Sequence, residues 1–245
     1  MRILIAVPAH NEELCLEKSL RHLLAVLPSL LTPHAWEVVV AENGSHDGTT
    51  RIVERLQTEE PLLRLLQRTE PGKGGAIKAA WTDRQADVYG FIDADLSPNP
   101  SDIPKLLTAL EDYDVAIASR RIAGAEVEQS TLRRAVSGAY NAAASTCLRI
   151  PVRDLQCGLK LVRREAVEHL LPLVEDTGYF FDTEFLALAH THGFRIAEVP
   201  IRWQETPDPR RKSSLGLFRT GSRMARDVWR LRRRMKTDGK TRPPS

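Results

Sequence analysis

Short apolar runs rich in valine and isoleucine alternate with longer stretches of helical period over residues 1–120. Arg2–Val7 reads as a strand that Pro8 ends, and Glu12–Leu27 as a helix capped by Asn11 with acids in its first turn. Trp36–Ala41 predicts a second strand, and Ser45 or Asp47 a cap for a helix running to Gln57. Leu62–Gln67 predicts a third strand, Ala76–Arg84 a helix, Val88–Ile92 a fourth strand, Ser101–Leu110 a helix and Asp114–Ser119 a fifth strand. Such alternation implies an α/β fold with a mostly parallel central sheet and helices on both faces.

The second half has a different rhythm. Residues 122–130 form a polar loop, Thr131–Leu148 a long helix, and Pro151–Gly158 another loop. A short strand over Leu159–Val162, a helix over Arg164–Leu171, a helix ending near His192 and a strand over Phe194–Ile201 follow. No internal repeat or linker divides residues 1–209, so one domain is expected, with 1–120 and 121–209 as its two halves. Beyond a basic loop, apolar positions Leu217, Met224, Val228, Leu231 and Met235 trace a helical stripe, with six arginines opposite it. Residues 236–245 read as a disordered tail.

The Val88–Ile92 run ends at Asp93, Ala94 and Asp95, and a Pro-Asn-Pro turn follows. Two acids at i and i+2 on a strand tip sit where open α/β sheets place ligands. Both could reach one hard cation, Mg2+ or Mn2+, that keeps positions open for phosphate. Glu70–Gly75 sets glycines and Lys73 before a helix, a pattern suited to a phosphate or to a simple turn. It is not a Walker A sequence, and no Gly-x-Gly-x-x-Gly follows the first strand.

Composition narrows the classes. Hydrophobic residues make up 42% and charged residues 27% of 245, as in ordinary globular proteins. No apolar run approaches a membrane span, and the N-terminus reads as a strand rather than a signal peptide. The three cysteines have neither zinc nor disulfide spacing and read as reduced packing residues. The net charge of +3 hides an acidic body, −8 over residues 1–209, and a basic end, +11 over 210–245. The stripe of residues 214–235 with Trp229 and Phe218 suits a membrane interface, or a helix packed on its own domain. Nucleic acid fits poorly, because the body is acidic and carries no binding motif.

Pro8-Ala-His-Asn-Glu12, Glu42-Asn-Gly-Ser-His-Asp-Gly-Thr49, Gly72-Lys-Gly74, Asp93-Ala-Asp95 and Ser119-Arg120 stand in the order and spacing of inverting family 2 glycosyltransferases, which the chain resembles. Gln129-Ser-Thr-x-x-Arg-Arg134, Arg153-Asp-Leu-Gln-Cys-Gly-x-Lys160, Gly178-Tyr-Phe-Phe-Asp-Thr-Glu184 and Glu198-Val-Pro-x-x-Trp203 look like dolichyl-phosphate glucose and mannose synthases. The resemblance implies a GT-A fold and hexose transfer from a nucleotide-diphospho-sugar to polyprenyl phosphate on the cytoplasmic, inner face of a membrane. Attachment would be peripheral or through an integral-membrane partner. Alternatives are a soluble or hydroxyl acceptor on the same fold, or a non-catalytic nucleotide-sugar scaffold.

Carried over by residue, Pro8, Ala9 and Glu12 would line the base and ribose pocket. Glu42 and Asn43 stand where the family often has two nucleotide-contacting aspartates. Lys73 would lie near the diphosphate, and Asp93 and Asp95 would hold the cation. Ser97 replaces a glutamine common in mannose synthases. Arg120, Arg133 and Ser137 would bind the acceptor phosphate, Arg120 next to the reacting groups. Arg211 and Lys212 approximate a basic loop element. Asp182 and Glu184 could favour a helix start or contact the sugar, and Asp154 and Gln156 could hold a loop or contact the sugar.

Overall fold

The structure is a computed structural model that describes residues 1–205 and 225–235. Seven strands form one sheet in the order β3-β2-β1-β4-β7-β5-β8. These are β1 (Arg2–Ala9), β2 (Ala35–Asn43), β3 (Leu63–Arg68), β4 (Val88–Ile92), β5 (Val115–Ser119), β7 (Leu159–Arg163) and β8 (Ile196–Pro200). All neighbours pair in parallel except β7, which runs antiparallel between β4 and β5. The helices are α1 (Leu16–Leu31), α2 (Thr49–Glu59), α3 (Lys73–Asp83), α4 (Ile103–Ala109), α5 (Thr131–Leu148), α6 (Arg164–Leu170) and α7 (Phe181–Thr191). Residues 225–235 form an eighth helix, α8.

Both sheet faces are covered, so the central strands are largely apolar; all five residues of β4 and of β5 are buried. One core layer packs α1, α2 and α4 against one face. The other packs α3, α5, α6, α7 and α8. In that layer Trp81 touches Phe91, Phe181 and Phe185 at centroid distances of 6.3, 6.2 and 5.7 Å. Its indole N–H donates to the Gly90 carbonyl at 3.0 Å. Aromatic contacts of this kind contribute about 0.5–1.5 kcal/mol each beyond area burial. The cluster fixes β4, α3 and α7 to one another beneath the strand tips.

Several element ends differ from the pattern-based reading. Helix α1 starts at Leu16 and runs through Pro28, because the face Leu20, Leu23, Leu24, Leu27 and Leu31 stays buried across it. Asn11 does not cap it. Its backbone is left-handed (φ 56°), and its side-chain oxygen accepts from His46 N–H at 2.8 Å. Glu12 N–H donates to Thr49 Oγ1 while its carbonyl accepts from Leu16 N–H at the start of α1, and Glu13 binds the 47–49 turn. Asn99, not Ser101, caps the short turn before α4, accepting from Ser101 N–H at 2.9 Å. The strand expected over Phe194–Ile201 is β8, and a further short strand follows it. After β8 the chain crosses to β9 (Arg202–Gln204), which pairs in parallel with β6 (Glu126–Glu128) inside the expected polar loop. The 217–224 part of the expected terminal helix, Arg211, Lys212 and residues 236–245 lie outside the described residues.

Candidate active site

The carboxyl ends of β1, β2 and β4 lie side by side. Pro8 pairs with Ala41 and Ala9 with Glu42, while Ala6 pairs with Phe91. The loops leaving these tips enclose a cleft of about 380 Å³. Its walls include Pro8, His10 and Glu12 after β1, Asn43 after β2, Gly72 and Lys73 at the start of α3, and Asp93, Ala94 and Asp95 after β4. Asp176, Thr177, Gly178 and Tyr179, ahead of α7, close the remaining side.

Asn43 is the joint between two of these loops. Its amide donates to the Ala9 carbonyl at 2.8 Å and accepts from Gly72 N–H at 2.9 Å. Gly72 has φ 148°, and a Cβ there would stand 2.4 Å from the Thr177 carbonyl oxygen. Only glycine lets the segments approach so closely. Gly74 and Gly75 N–H then donate to the Gly178 and Thr177 carbonyls at 3.1 and 2.8 Å. The glycines thus dock the α3 start on the 177–178 segment.

Charge is concentrated below the cleft. Lys73 Nζ lies 2.8 Å from Asp93 Oδ1 and 3.3 Å from Asp182 Oδ2. Lys160, buried, lies 2.6 Å from Asp182 Oδ1 and donates to the Cys157 carbonyl at 2.8 Å. Both ammonium groups sit over the Phe91 ring, at 4.9 and 5.2 Å. With Asp95 beside Asp93, three carboxylates face two ammonium groups. Burial opposes ionisation of Asp182, but Lys160 and Lys73 outweigh it and hold its carboxyl below the usual range. Burial, with Asp95 adding repulsion, pushes the Asp93 carboxyl up despite Lys73. Cys157 is fully buried, and its thiol is pushed up to about 12 by burial, so it packs rather than reacts.

Two neighbouring carboxylates at a strand tip, Asp93 and Asp95, suit a divalent cation. Asp93 exposes about a third of its side chain, 35%. The position is cleared by Gly158, whose hypothetical Cβ would lie 1.9 Å from Asp93 Oδ2. Asp93 N–H also donates to the Gly158 carbonyl at 2.9 Å. Asp95 Oδ1 accepts from Ser97 N–H at 3.0 Å across a turn with Leu96 at φ 48°. Among the described residues no cluster of three or more ligating side chains occurs. Two hard carboxylates with outside oxygens completing the shell is the arrangement Mg2+ or Mn2+ accepts.

The residues after β5 form a second cationic group. Arg120 grips Asp154 through Nε at 2.8 Å and Nη2 at 2.9 Å, and its backbone N–H donates to the same carboxylate at 3.0 Å. Asp154 N–H donates in turn to Glu198 Oε1 at 3.1 Å. The Arg120 guanidinium lies 5.3 Å from the Trp203 ring. Burial disfavours charge on both partners, but their mutual bonds keep Arg120 cationic and Asp154 below the usual carboxylate range. Arg121 Nη2 donates to Ser137 Oγ at 2.6 Å, while Arg133 pairs with Glu205.

Comparison with known proteins decides the lineage. The model of Glycosyl transferase family 2 matches residues 4–171. The chain belongs to glycosyltransferase family 2. Glycosyltransferase AglD of Haloferax volcanii is 33% identical over 94% of the chain, which spans 38% of that protein. Dolichyl-phosphate beta-glucosyltransferase ALG5C of Trichomonas vaginalis is 30% identical over 85% of the chain, which spans 65% of that relative. Undecaprenyl-phosphate mannosyltransferase of Micrococcus luteus is 31% identical, with 89% of each chain covered. Glucosyl-3-phosphoglycerate synthase from Mycobacterium tuberculosis, crystallised with Mn2+, UDP and phosphoglyceric acid, superposes with a TM-score of 0.72 at 21% identity. That match covers 94% of the chain and 78% of the synthase. The fold is thus GT-A.

Within this family 2 fold, the strand tips bring together Pro8, Glu12, Asn43, Lys73, Asp93, Ala94 and Asp95. Ala9 is buried behind them, 1% exposed. Glu42 is also buried and accepts from Ser45 N–H at 2.5 Å. Arg133 and Ser137 share α5 but bind different partners. Asp182 neither caps α7 nor meets solvent, being consumed by the two lysines. Glu184 accepts from Glu175 and Asp176 N–H at 3.1 and 2.7 Å. Gln156 donates to the Tyr179 carbonyl at 3.2 Å and so holds a loop. Lys160, Arg121 and Asp176 escaped the reading by residue role. Lys160 ends one of the quoted motifs and Asp176 stands just before another, but their partners lie far along the chain or across a turn.

Proposed function

We propose that the chain transfers a hexose, glucose or mannose, with inversion from a nucleotide-diphospho-sugar to polyprenyl phosphate at the cytoplasmic face of a membrane. The observation that carries this is the convergence of Asp93, Asp95 and Lys73 in one cleft at the sheet's carboxyl edge. Asp93 and Asp95 would hold Mg2+ or Mn2+, which when bound offsets charge on the leaving diphosphate. Lys73 adds a fixed ammonium to the same region, and Asp182 holds it there. The nucleotide lies along Pro8, Glu12 and Asn43, with Ala9 and Glu42 shaping the wall behind. An acceptor phosphate is already an anion, so no general base is required. Its binding falls to Arg120, Arg133 and Ser137, with Arg211 and Lys212 adding cationic charge further along the sequence. Asp154 occupies the Nε–Nη2 edge of Arg120, so the Nη1 side is the one turned to a phosphate.

Two surfaces support membrane contact. On α5, Leu132, Ala135, Val136, Ala139 and Ala143 are all exposed and share one face. On α8, Val228 and Leu231 are buried in the domain, while Trp229 is 58% exposed among Arg226, Arg230 and Arg233. Residues 225–235 therefore pack on the domain with one face and offer a basic, Trp-bearing face outward. No helix among the described residues is long and apolar enough to cross a membrane. The test is incubation of purified protein and Mn2+ with vesicles containing polyprenyl phosphate and labelled UDP-glucose or GDP-mannose. Label in acid-labile lipid is expected with one donor; none with either donor overturns the reading.

A further inference from the structure

Helix α8 reaches the donor cleft through a buried ion pair. Glu184, 2% exposed, sits in the first turn of α7. Its two oxygens accept the backbone N–H groups of Glu175 and Asp176. Arg234 of α8 pairs with the same carboxylate, lies 2.7 Å from Glu175 Oε2, and donates to the Leu173 carbonyl at 3.3 Å. The segment held in this way continues directly into the cleft wall. Asp176 Oδ1 accepts from Gly178 and Phe181 N–H at 2.7 and 3.0 Å, and the Thr177 and Gly178 carbonyls receive the α3 start. Residues 175–178 thus form a partition, with the donor cleft on one side and a cavity of about 180 Å³ under α8 on the other.

We propose that Arg234 and Glu184 are positioning residues for the donor: they brace the 175–178 wall, so that α8 sets donor affinity as well as facing outward. The reason is electrostatic. A buried carboxylate that accepts two backbone N–H groups holds them firmly only while its charge is balanced, and Arg234 supplies that balance at the site. Without it, Glu184 would be a buried uncompensated charge that draws in water. That loosens the two N–H bonds and the turn they fix. The proposal rests on the cleft being the nucleotide-sugar site.

The experiment uses the full chain with Arg234→Met, which keeps the apolar stem, and Arg234→Lys, which restores the charge. Amide exchange over 174–180 and titration with UDP and GDP in Mn2+ are measured beside transfer kinetics. In Arg234→Met, exchange there and the donor KM are expected to rise about tenfold, with kcat and the acceptor KM within about twofold. Arg234→Lys should bring the donor KM back to within about threefold of the parent. Glu175→Gln, at a side chain 69% exposed, removes the outer half of the brace without threatening the fold. A rise of about two- to threefold in donor KM is expected there. Unchanged donor KM and exchange in Arg234→Met, or in Glu175→Gln should the first variant not fold, overturn the proposal. A rise in acceptor KM equal to that for donor does so as well. If the parent protein binds neither nucleotide, the donor reading of the cleft falls, and the exchange data alone decide whether the brace exists.

Discussion

The strand-tip cleft and the arginine group after β5 are charged in opposite senses and for different reasons. In the cleft, Lys73 joins Asp93 to Asp182, Lys160 holds Asp182 from below, and Asp95 stands beside Asp93 as a second strand-tip carboxylate that could meet a cation. Around the arginines each guanidinium already has a partner: Arg120 has Asp154, Arg121 has Ser137, and Arg133 has Glu205. The strand-tip cleft therefore suits a cation, while among the described residues the second group must give up or share contacts to bind an anion, although the buried Arg121 Nε has no hydrogen-bond partner there. A cation should stabilise the first, and a phosphate should shift hydrogen bonds in the second.

The largest effect that would break this contrast is at the two strand-tip carboxylates. Asp95→Ala should lower transfer by about a hundred- to thousandfold while circular dichroism stays native. The parent with UDP or GDP should gain roughly 5–10 °C in Tm when Mn2+ is added at a hundredfold excess over its Kd. The same gain in Asp95→Ala would mean that the strand-tip carboxylates are not the ion's site. Gly158→Ala comes next. Its methyl group would fall on Asp93, so a Mn2+-dependent Tm gain near zero is expected, and an unchanged gain would refute the close-approach account.

On the arginine side, Asp154→Ala removes a buried partner and should cost about 3–5 kcal/mol of stability, read by urea unfolding. Asp154 and Asp182 both titrate below the usual range. Their contribution is complete above the unfolded value of about 3.9 and is lost as pH falls through their lower folded values. Tm should thus hold from neutrality down to about pH 4 and drop below it. Arg121→Met should have the smallest effect, a rise of about two- to fivefold in acceptor KM with donor KM constant. An unaltered acceptor KM would confine Arg121 to positioning α5 through Ser137.

Legibility along the chain follows the range of the forces involved. The Val88–Ile92 strand was readable because a doubly covered strand is apolar at every position. Its two terminal acids were readable because apolar character ends abruptly there. Lys160 looked like an ordinary strand lysine, and only α7, 22 residues further on, gives it Asp182 as a buried partner. The β6–β9 ribbon joins residues 76 apart in the chain, and strands of three residues carry no period of their own. Asn11 has the composition of a cap, but the 45–49 turn competes for it and wins with several bonds at once.

The sequence by itself determined the alternation of strands and helices, the carboxylates at the end of β4, the glycine-lysine turn and the basic stripe near the C-terminus. Each depends on neighbours a few residues away or on a period the chain repeats. Tertiary structure alone decided which charges meet: Lys73 bridging Asp93 and Asp182, Arg120 held by Asp154, and Arg234 reaching Glu184. Ion pairs are fixed by distances of a few ångströms between elements remote in sequence. Those distances exist only once the sheet order and the packing of α5, α7 and α8 on its face are set.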